Sequence, residues 1–160
     1  MNFGERIAFF LASSFYLGRF PIVPGTVGTL GALPFFYLYW DKGLLAQFSI
    51  TISVILIGIW ASHTVSQKVS DKDPSFVTVD EVAGYMITMF GIDPQNYQLN
   101  QLLTYFILGF VIFRIVDIIK PPPIKLLEKY PMGIGIMLDD VLAGLYSWIL
   151  LHLLIYIFKF

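Results

Sequence analysis

A helical integral membrane protein is the fold class this sequence predicts, and three observations carry the prediction. Hydrophobic residues make up 57% of the 160-residue chain. Charged residues make up only 13%, roughly half the share usual in soluble domains. Mean hydropathy is +0.75, and the apolar residues gather in runs near the roughly 20 residues a helix needs to cross a bilayer. A soluble chain this short has too little interior for that much apolar surface. The same composition excludes disorder. One domain over residues 1–160 is expected.

The elements follow in order. Phe3–Leu17 is a weakly amphipathic segment. Arg6 is offset by Glu5 and no small-residue cleavage site follows, so it does not read as a signal peptide. Val27–Trp40 is apolar but short and contains Pro34, leaving open whether it spans, re-enters or lies at the surface. Leu44–Ser62 is the cleanest span, nineteen residues without a charge. Val82–Ile92 reaches span length only if its helix starts near Ser75 or Phe76, which puts Asp80 and Glu81 beyond the first turn. Leu102–Ile119 carries Arg114 and Asp117 near its end, and Val141–Phe158 carries only His152 as a titratable group. About four to five apolar helices plus a short N-terminal helix are therefore expected.

Charge orients the spans. Segments 1–26, 63–81 and 120–140 hold Arg6, Arg19, Lys68, Lys72, Lys120, Lys125 and Lys129, whereas the opposite side holds only Lys42 and Lys159. Seven cations against two place the first set in the cytoplasm. Most of the acids, Glu128 among them, fall on or near that face. Tyr37, Tyr39, Trp40, Tyr156, Phe158 and Phe160 are expected to form the aromatic belt on the far side. Net charge is −1 and there is no basic patch, so nucleic acid is not an expected partner. Cysteine is absent, which removes disulfides, thiolate metal sites and Cys nucleophiles.

Four polar clusters interrupt the apolar runs. In Pro24-Gly25-Thr26-Val27-Gly28-Thr29, Thr26 reads as an N-cap. Backbone N–H groups near Gly25 could meet a phosphate there, or the motif is simply a Pro/Gly turn entering a helix. In Asp73-Pro74-Ser75, Asp73 reads as a cap and Pro74 as the first helical residue. Asp80 and Glu81 follow, and acids inside a span cost about 3 kcal/mol each unless compensated. Arg114, Asp117 and Lys120 are spaced by three and share a helical face, and the helix must stop at Pro121-Pro122-Pro123. Arg114 pairing with Asp117 while Lys120 snorkels is one reading; a phosphate site with a metal is the other. Asp139 and Asp140 are expected to open the last apolar helix, with Ala143 and Gly144 one turn later. Small residues let helices approach closely. If this helix packs on the one bearing Ala83 and Gly84, then Asp80, Glu81, Asp139 and Asp140 converge on one metal site. All-oxygen ligands suit Mg²⁺ or Mn²⁺. The segments 76–84 and 136–144 also echo each other at an offset of sixty.

These four clusters, in this order, resemble the phosphatidylglycerophosphatase A family of bacterial membrane enzymes. The matching pieces are Pro24-Gly25-Thr26-Val27-Gly28, Asp80-Glu81-x-x-Gly84, Asp117-x-x-Lys120-Pro121-x-Pro123-Ile124 and Gly133-x-Gly135-Ile136-Met137-x-Asp139-Asp140-x-x-Ala143-Gly144. The resemblance implies hydrolysis of phosphatidylglycerophosphate to phosphatidylglycerol and inorganic phosphate. It implies dependence on Mg²⁺, and a place in anionic phospholipid synthesis at the cytoplasmic face of the bacterial inner membrane. Asp80, Asp117, Lys120 and Asp140 are then the expected catalytic residues, with Asp80, Glu81, Asp139 and Asp140 holding metal. Gly25, Thr26, Arg114 and Lys120 are expected to bind the phospholipid substrate, with Asp117 orienting Lys120 or completing the metal shell. His63 and His152 sit on different spans, which speaks against a histidine phosphatase. A CDP-alcohol phosphatidyltransferase is the rival enzyme, but its Asp-Gly-x-x-Ala-Arg signature is missing. A divalent-cation transporter or binding protein is the non-enzymatic rival; it calls for acids on both sides, whereas these crowd one face.

Overall fold

The computed structural model describes residues 1–127 and 129–158. Glu128, Lys159 and Phe160, counted above among the charges and the belt, lie outside the described residues. Among the described residues the chain is all-helical, without strands. Three helices are long and apolar enough to cross a membrane: α4 (Leu44–Val69), α6 (Leu99–Ile119) and α8 (Met132–Phe158). Their most apolar windows are only 28%, 28% and 22% buried. That much outward-facing apolar surface is untenable in water and is what lipid requires. The shorter helices are α1 (Phe3–Ala12), α2 (Pro24–Thr29), α3 (Leu33–Tyr39), α5 (Val79–Thr88) and α7 (Ile124–Leu127).

Local chemistry sets the boundaries. α1 opens on a reciprocal cap, with Glu5 N–H donating to Asn2 Oδ1 at 2.8 Å and Asn2 N–H to Glu5 Oε2 at 2.9 Å. It lies against α4, where Lys68 Nζ meets Glu5 Oε1 at 3.1 Å. The stretch 27–40 does not form one helix. Pro24 and Pro34 each sit in a first turn, and a 3₁₀ turn at Leu30–Ala32 separates α2 from α3. α6 stops at Ile119, where Lys120 turns left-handed (φ 46°) ahead of the prolines.

Three expectations are corrected here. Asp73-Pro74 makes a turn, not a helix start: Asp73 N–H donates to Asp71 Oδ1 and Val77 N–H to Pro74 O. α5 begins only at Val79, so Asp80 and Glu81 occupy its first turn, where the helix dipole favours acids. α8 begins at Met132, well before Val141, so Asp139 and Asp140 lie inside it and do not open it. The belt also loses Tyr39, which is buried, while Tyr37, Tyr156 and Phe158 are exposed.

α5 is ten residues long and sheathed on all sides. It packs on α8 through Gly84 and Gly144: a side-chain carbon on Gly144 would overlap Gly84's backbone, and one on Gly84 would meet Phe113 and the Asp140 carbonyl. The echo at sixty residues is thus a contact between its two copies. Beyond α5 the chain is irregular at the edge of the bundle, with Ile92 buried, Phe90 half-buried and Gly91 exposed. Buried irregular backbone is tolerated only where its polar groups find partners. Here Trp148 donates to Phe90 O at 2.9 Å, Gln47 Oε1 accepts from Gly91 N–H at 2.9 Å, and Trp40 donates to Ile92 O. Phe36, Trp40, Tyr85 and Phe106 stack edge-on beside that segment.

Candidate active site

Close packing of α5 on α8 brings two short acidic stretches face to face. α5 supplies Asp80 and Glu81, α8 supplies Asp139 and Asp140, and the last turns of α6 supply Arg114 and Asp117. The turn before α5 adds Asp73, and the left-handed residue after α6 is Lys120. A cavity of about 160 Å³ is lined by Asp73, Asp80, Glu81, Asp117, Lys120, Asp139 and Asp140, with Ser75, Val77 and Ile136. All of the expected catalytic and metal residues therefore border one space.

Two cations divide the carboxylates between them. Arg114 Nη1 lies 2.8 Å from Glu81 Oε2 and 3.0 Å from Asp117 Oδ2. Its N–H bonds are not aimed at either oxygen, so the contact is charge pairing without good hydrogen-bond geometry. Lys120 Nζ lies 2.6 Å from Asp139 Oδ2. Lys120 thus pairs across to α8. Asp117, expected to orient Lys120 or to complete a metal shell, lies against Arg114. The left-handed turn at 120 swings the lysine off the face it would share on a continuous helix.

Glu81 is further fixed from α2. Thr29 Oγ1 donates to Glu81 Oε2 at 2.7 Å. Gly25 sits so close to the Glu81 carboxylate that any side chain there would collide with it. The Pro24–Thr29 motif therefore holds an acid. Its N-cap position is Val23, not Thr26, which lies inside α2. Neither Gly25 nor Thr26 lines the cavity. Thr29 and Asp73 are the residues that sequence reasoning passed over. Thr29 closes the same motif four residues after Gly25, and Asp73 looked like a helix cap.

Asp80 and Asp140 are the acids left over. Asp80 Oδ1 is buried without a hydrogen-bond partner. Asp80 is repelled by Glu81, Asp139 and Asp73, and Asp140 by Asp80, Asp117 and Asp139. Asp140 meets the Asp117 carboxyl, and its backbone N–H donates to Asp139 Oδ1 at 3.1 Å. Among the described residues no three Asp, Glu or His side chains stand together at metal-ligand spacing. The donor chemistry nevertheless fits Mg²⁺: every donor is oxygen, and a buried carboxylate oxygen lacks any partner. Two of the four expected ligands, Glu81 and Asp139, are already ion-paired. Neither histidine borders the cavity; His152 Nδ1 rests 3.0 Å from Trp148 O.

Known proteins resemble this chain over most of its length. A family model described as Phosphatidylglycerophosphatase A matches residues 10–155. A Phosphatidylglycerophosphatase A of Escherichia coli K12 is 36% identical over 86% of this chain and 77% of its own. One from Haemophilus influenzae is 30% identical over 91% of this chain and 87% of its own. A Bacteroides thetaiotaomicron protein, named as a candidate phosphatidylinositol-3-phosphatase, is 36% identical over 88% of this chain and 89% of its own. No solved structure matches the chain. With carboxylates and cations gathered at the positions the motifs mark, and with matches over nearly the whole sequence, the chain is a membrane phosphatase that belongs to the phosphatidylglycerophosphatase A family.

Proposed function

We propose that this enzyme hydrolyses the phosphomonoester of phosphatidylglycerophosphate, giving phosphatidylglycerol and inorganic phosphate, with Mg²⁺ as cofactor. The observation that carries the reading is the Asp80 carboxylate, whose Oδ1 is buried without a hydrogen-bond partner in an acid-lined cavity beside Lys120. Burying such a group without a partner is strongly unfavourable, so its retention points to a ligand that neutralises it. Asp80 and Asp140 would hold the Mg²⁺, being the two acids of the set not committed to a cation. When bound, the metal would supply positive charge to the phosphoryl oxygens.

The chain's own groups do the remaining work. A phosphomonoester carries close to two negative charges near neutral pH, and carboxylates alone would repel it. Lys120 borders the cavity directly and is placed to bind the phosphate. Arg114 draws off the charge of Glu81 and Asp117. Attack by water forms one P–O bond and breaks the bond from phosphorus to the glycerol oxygen. The water's proton passes to a cavity carboxylate, and the departing alkoxide takes a proton as it leaves. Absence of cysteine and distance from both histidines leave carboxylates as the acid–base groups.

The cation asymmetry supports a cytoplasmic site in the bacterial inner membrane. The Glu5–Lys68 pair ties the N-terminal helix to that same end. A second reading follows the name of the Bacteroides relative: a phosphate on an inositol headgroup in place of glycerol. The test is phosphate release by the purified protein from phosphatidylglycerophosphate and from phosphatidylinositol 3-phosphate, with Mg²⁺ and with EDTA. Mg²⁺-dependent release from the first lipid in excess over the second is expected. Activity that survives EDTA sinks the metal assignment, and preference for the inositol lipid reverses the substrate.

A further inference from the structure

A second cavity adjoins the carboxylate site. It measures about 230 Å³ and is lined by Lys72, Asp73, Met132, Gly135, Ile136 and Asp139. Asp73, Ile136 and Asp139 also line the first cavity. The two spaces therefore share a wall, and a ligand in one ends beside the other. Their charges differ. Lys120 and four acids, Asp80, Glu81, Asp117 and Asp140, belong to the inner space alone, whereas Lys72 belongs to the outer one alone, beside the first turn of α8. The positive end of that helix adds to the field of Lys72.

We propose that this outer cavity is a phosphodiester subsite, with Lys72 as the residue that reads it. The inference rests on the lipid phosphatase reading above and deepens it. Both headgroups considered there carry a phosphodiester toward the diacylglycerol and a phosphomonoester on another carbon of the same polyol. With the monoester beside Lys120 in the inner cavity, the polyol passes Asp73 and Asp139, and the diester reaches Lys72. A lysine suits this role as a mobile point charge on a flexible stem. The consequence is selectivity. Phosphatidic acid has a phosphomonoester but no phosphodiester, so it gains nothing from Lys72.

The experiment compares phosphatidylglycerophosphate with phosphatidic acid in maltoside micelles free of other phospholipid. Wild type, Lys72→Ala, Lys72→Arg and Lys125→Ala are assayed; Lys125 borders neither cavity. Lys72→Ala is expected to lower the ratio of kcat/KM for the two lipids about tenfold, through KM, as loss of one charge-assisted contact does. Lys72→Arg is expected to restore most of the ratio, and Lys125→Ala to leave it unchanged. Phosphatidylglycerol retains the diester, so its binding to the same micellar proteins should weaken in Lys72→Ala by a similar factor. An unchanged ratio in Lys72→Ala, or an equal fall in Lys125→Ala, overturns the subsite. If wild type releases phosphate from neither lipid, the phosphatase reading fails. Phosphatidylglycerol binding then still decides the subsite: weaker binding by Lys72→Ala alone upholds it, and equal binding rejects it.

Discussion

Two polar regions interrupt the apolar bundle, and they are handled in opposite ways. At residues 90–92 the helix has ended within an apolar run, yet Trp148, Gln47 and Trp40 each complete a backbone hydrogen bond there. At the mouth of α5 and α8, six carboxylates face two cations, and Asp80 Oδ1 has no partner. The first region is neutral and satisfied, which is what structure alone demands. The second is charged and leaves Asp80 Oδ1 unsatisfied, which the proposed function explains by a bound ligand. The contrast separates polar groups that hold the fold from polar groups that the fold holds in place.

The largest effect should come from Lys120. Lys120→Ala is expected to lower turnover on the order of 100-fold or more, about 2.7 kcal/mol in the barrier. It also leaves Asp139 unpaired, so stability falls with it. The double variant Lys120→Ala/Asp139→Asn should recover the stability and none of the activity. Recovery of turnover in the double variant would show that Lys120 serves only to neutralise Asp139.

The satisfied region should respond in the reverse sense. Gln47→Leu strips the Gly91 N–H of its acceptor, with an expected loss of about 1–3 kcal/mol of stability. Turnover per folded molecule should stay within a few-fold of wild type, measured below the lowered melting temperature. A large loss of turnover at intact stability would erase the distinction between the regions.

A smaller effect is expected where the two roles meet. Thr29→Val removes the hydroxyl from Glu81 Oε2 while keeping the side chain's shape. The loss of one hydrogen bond to a charged group, about 1.5–3 kcal/mol, should appear partly in stability and partly in a severalfold lower rate. Thr26→Val, one turn earlier and outside the cavity, should change neither.

The three long helices were legible because hydropathy alone defines them. Their ends were not. Val82–Ile92 is one apolar run in sequence, but α5 ends at Thr88 and Gly91 turns with φ 85°. What stops it is tertiary: Gln47, Trp40 and Trp148 satisfy the open backbone. Gly133 and Gly135 precede Val141, where the last apolar span was expected to begin. In the fold they are helical and allow close approach to α4 and to Tyr130. The acids of the site were readable because charges in apolar segments stand out. Their pairings were less so. Arg114 with Asp117 follows from spacing, whereas Lys120 with Asp139 depends on the left-handed turn, and Thr29 with Glu81 spans 52 residues.

The smallest effect belongs to the exposed Glu5–Lys68 pair. The hydrogen bond from Lys68 holds the Glu5 carboxyl below its ordinary range. Its contribution is present at neutral pH and fades as pH falls through that lowered value. Solvent screening keeps it slight. Lys68→Ala should leave turnover untouched and shift the melting temperature little, with the residual difference vanishing in acid.

The central claim is that Asp80 is kept against the interest of the fold. The direct test is Asp80→Asn, with melting temperature in the absence of Mg²⁺ and phosphate release in its presence measured on one preparation. Removing a buried charge repelled by Glu81, Asp139 and Asp73 should leave the melting temperature unchanged or higher while turnover falls on the order of 100-fold. A variant that melts lower than wild type, or that keeps turnover within a few-fold, would contradict the account.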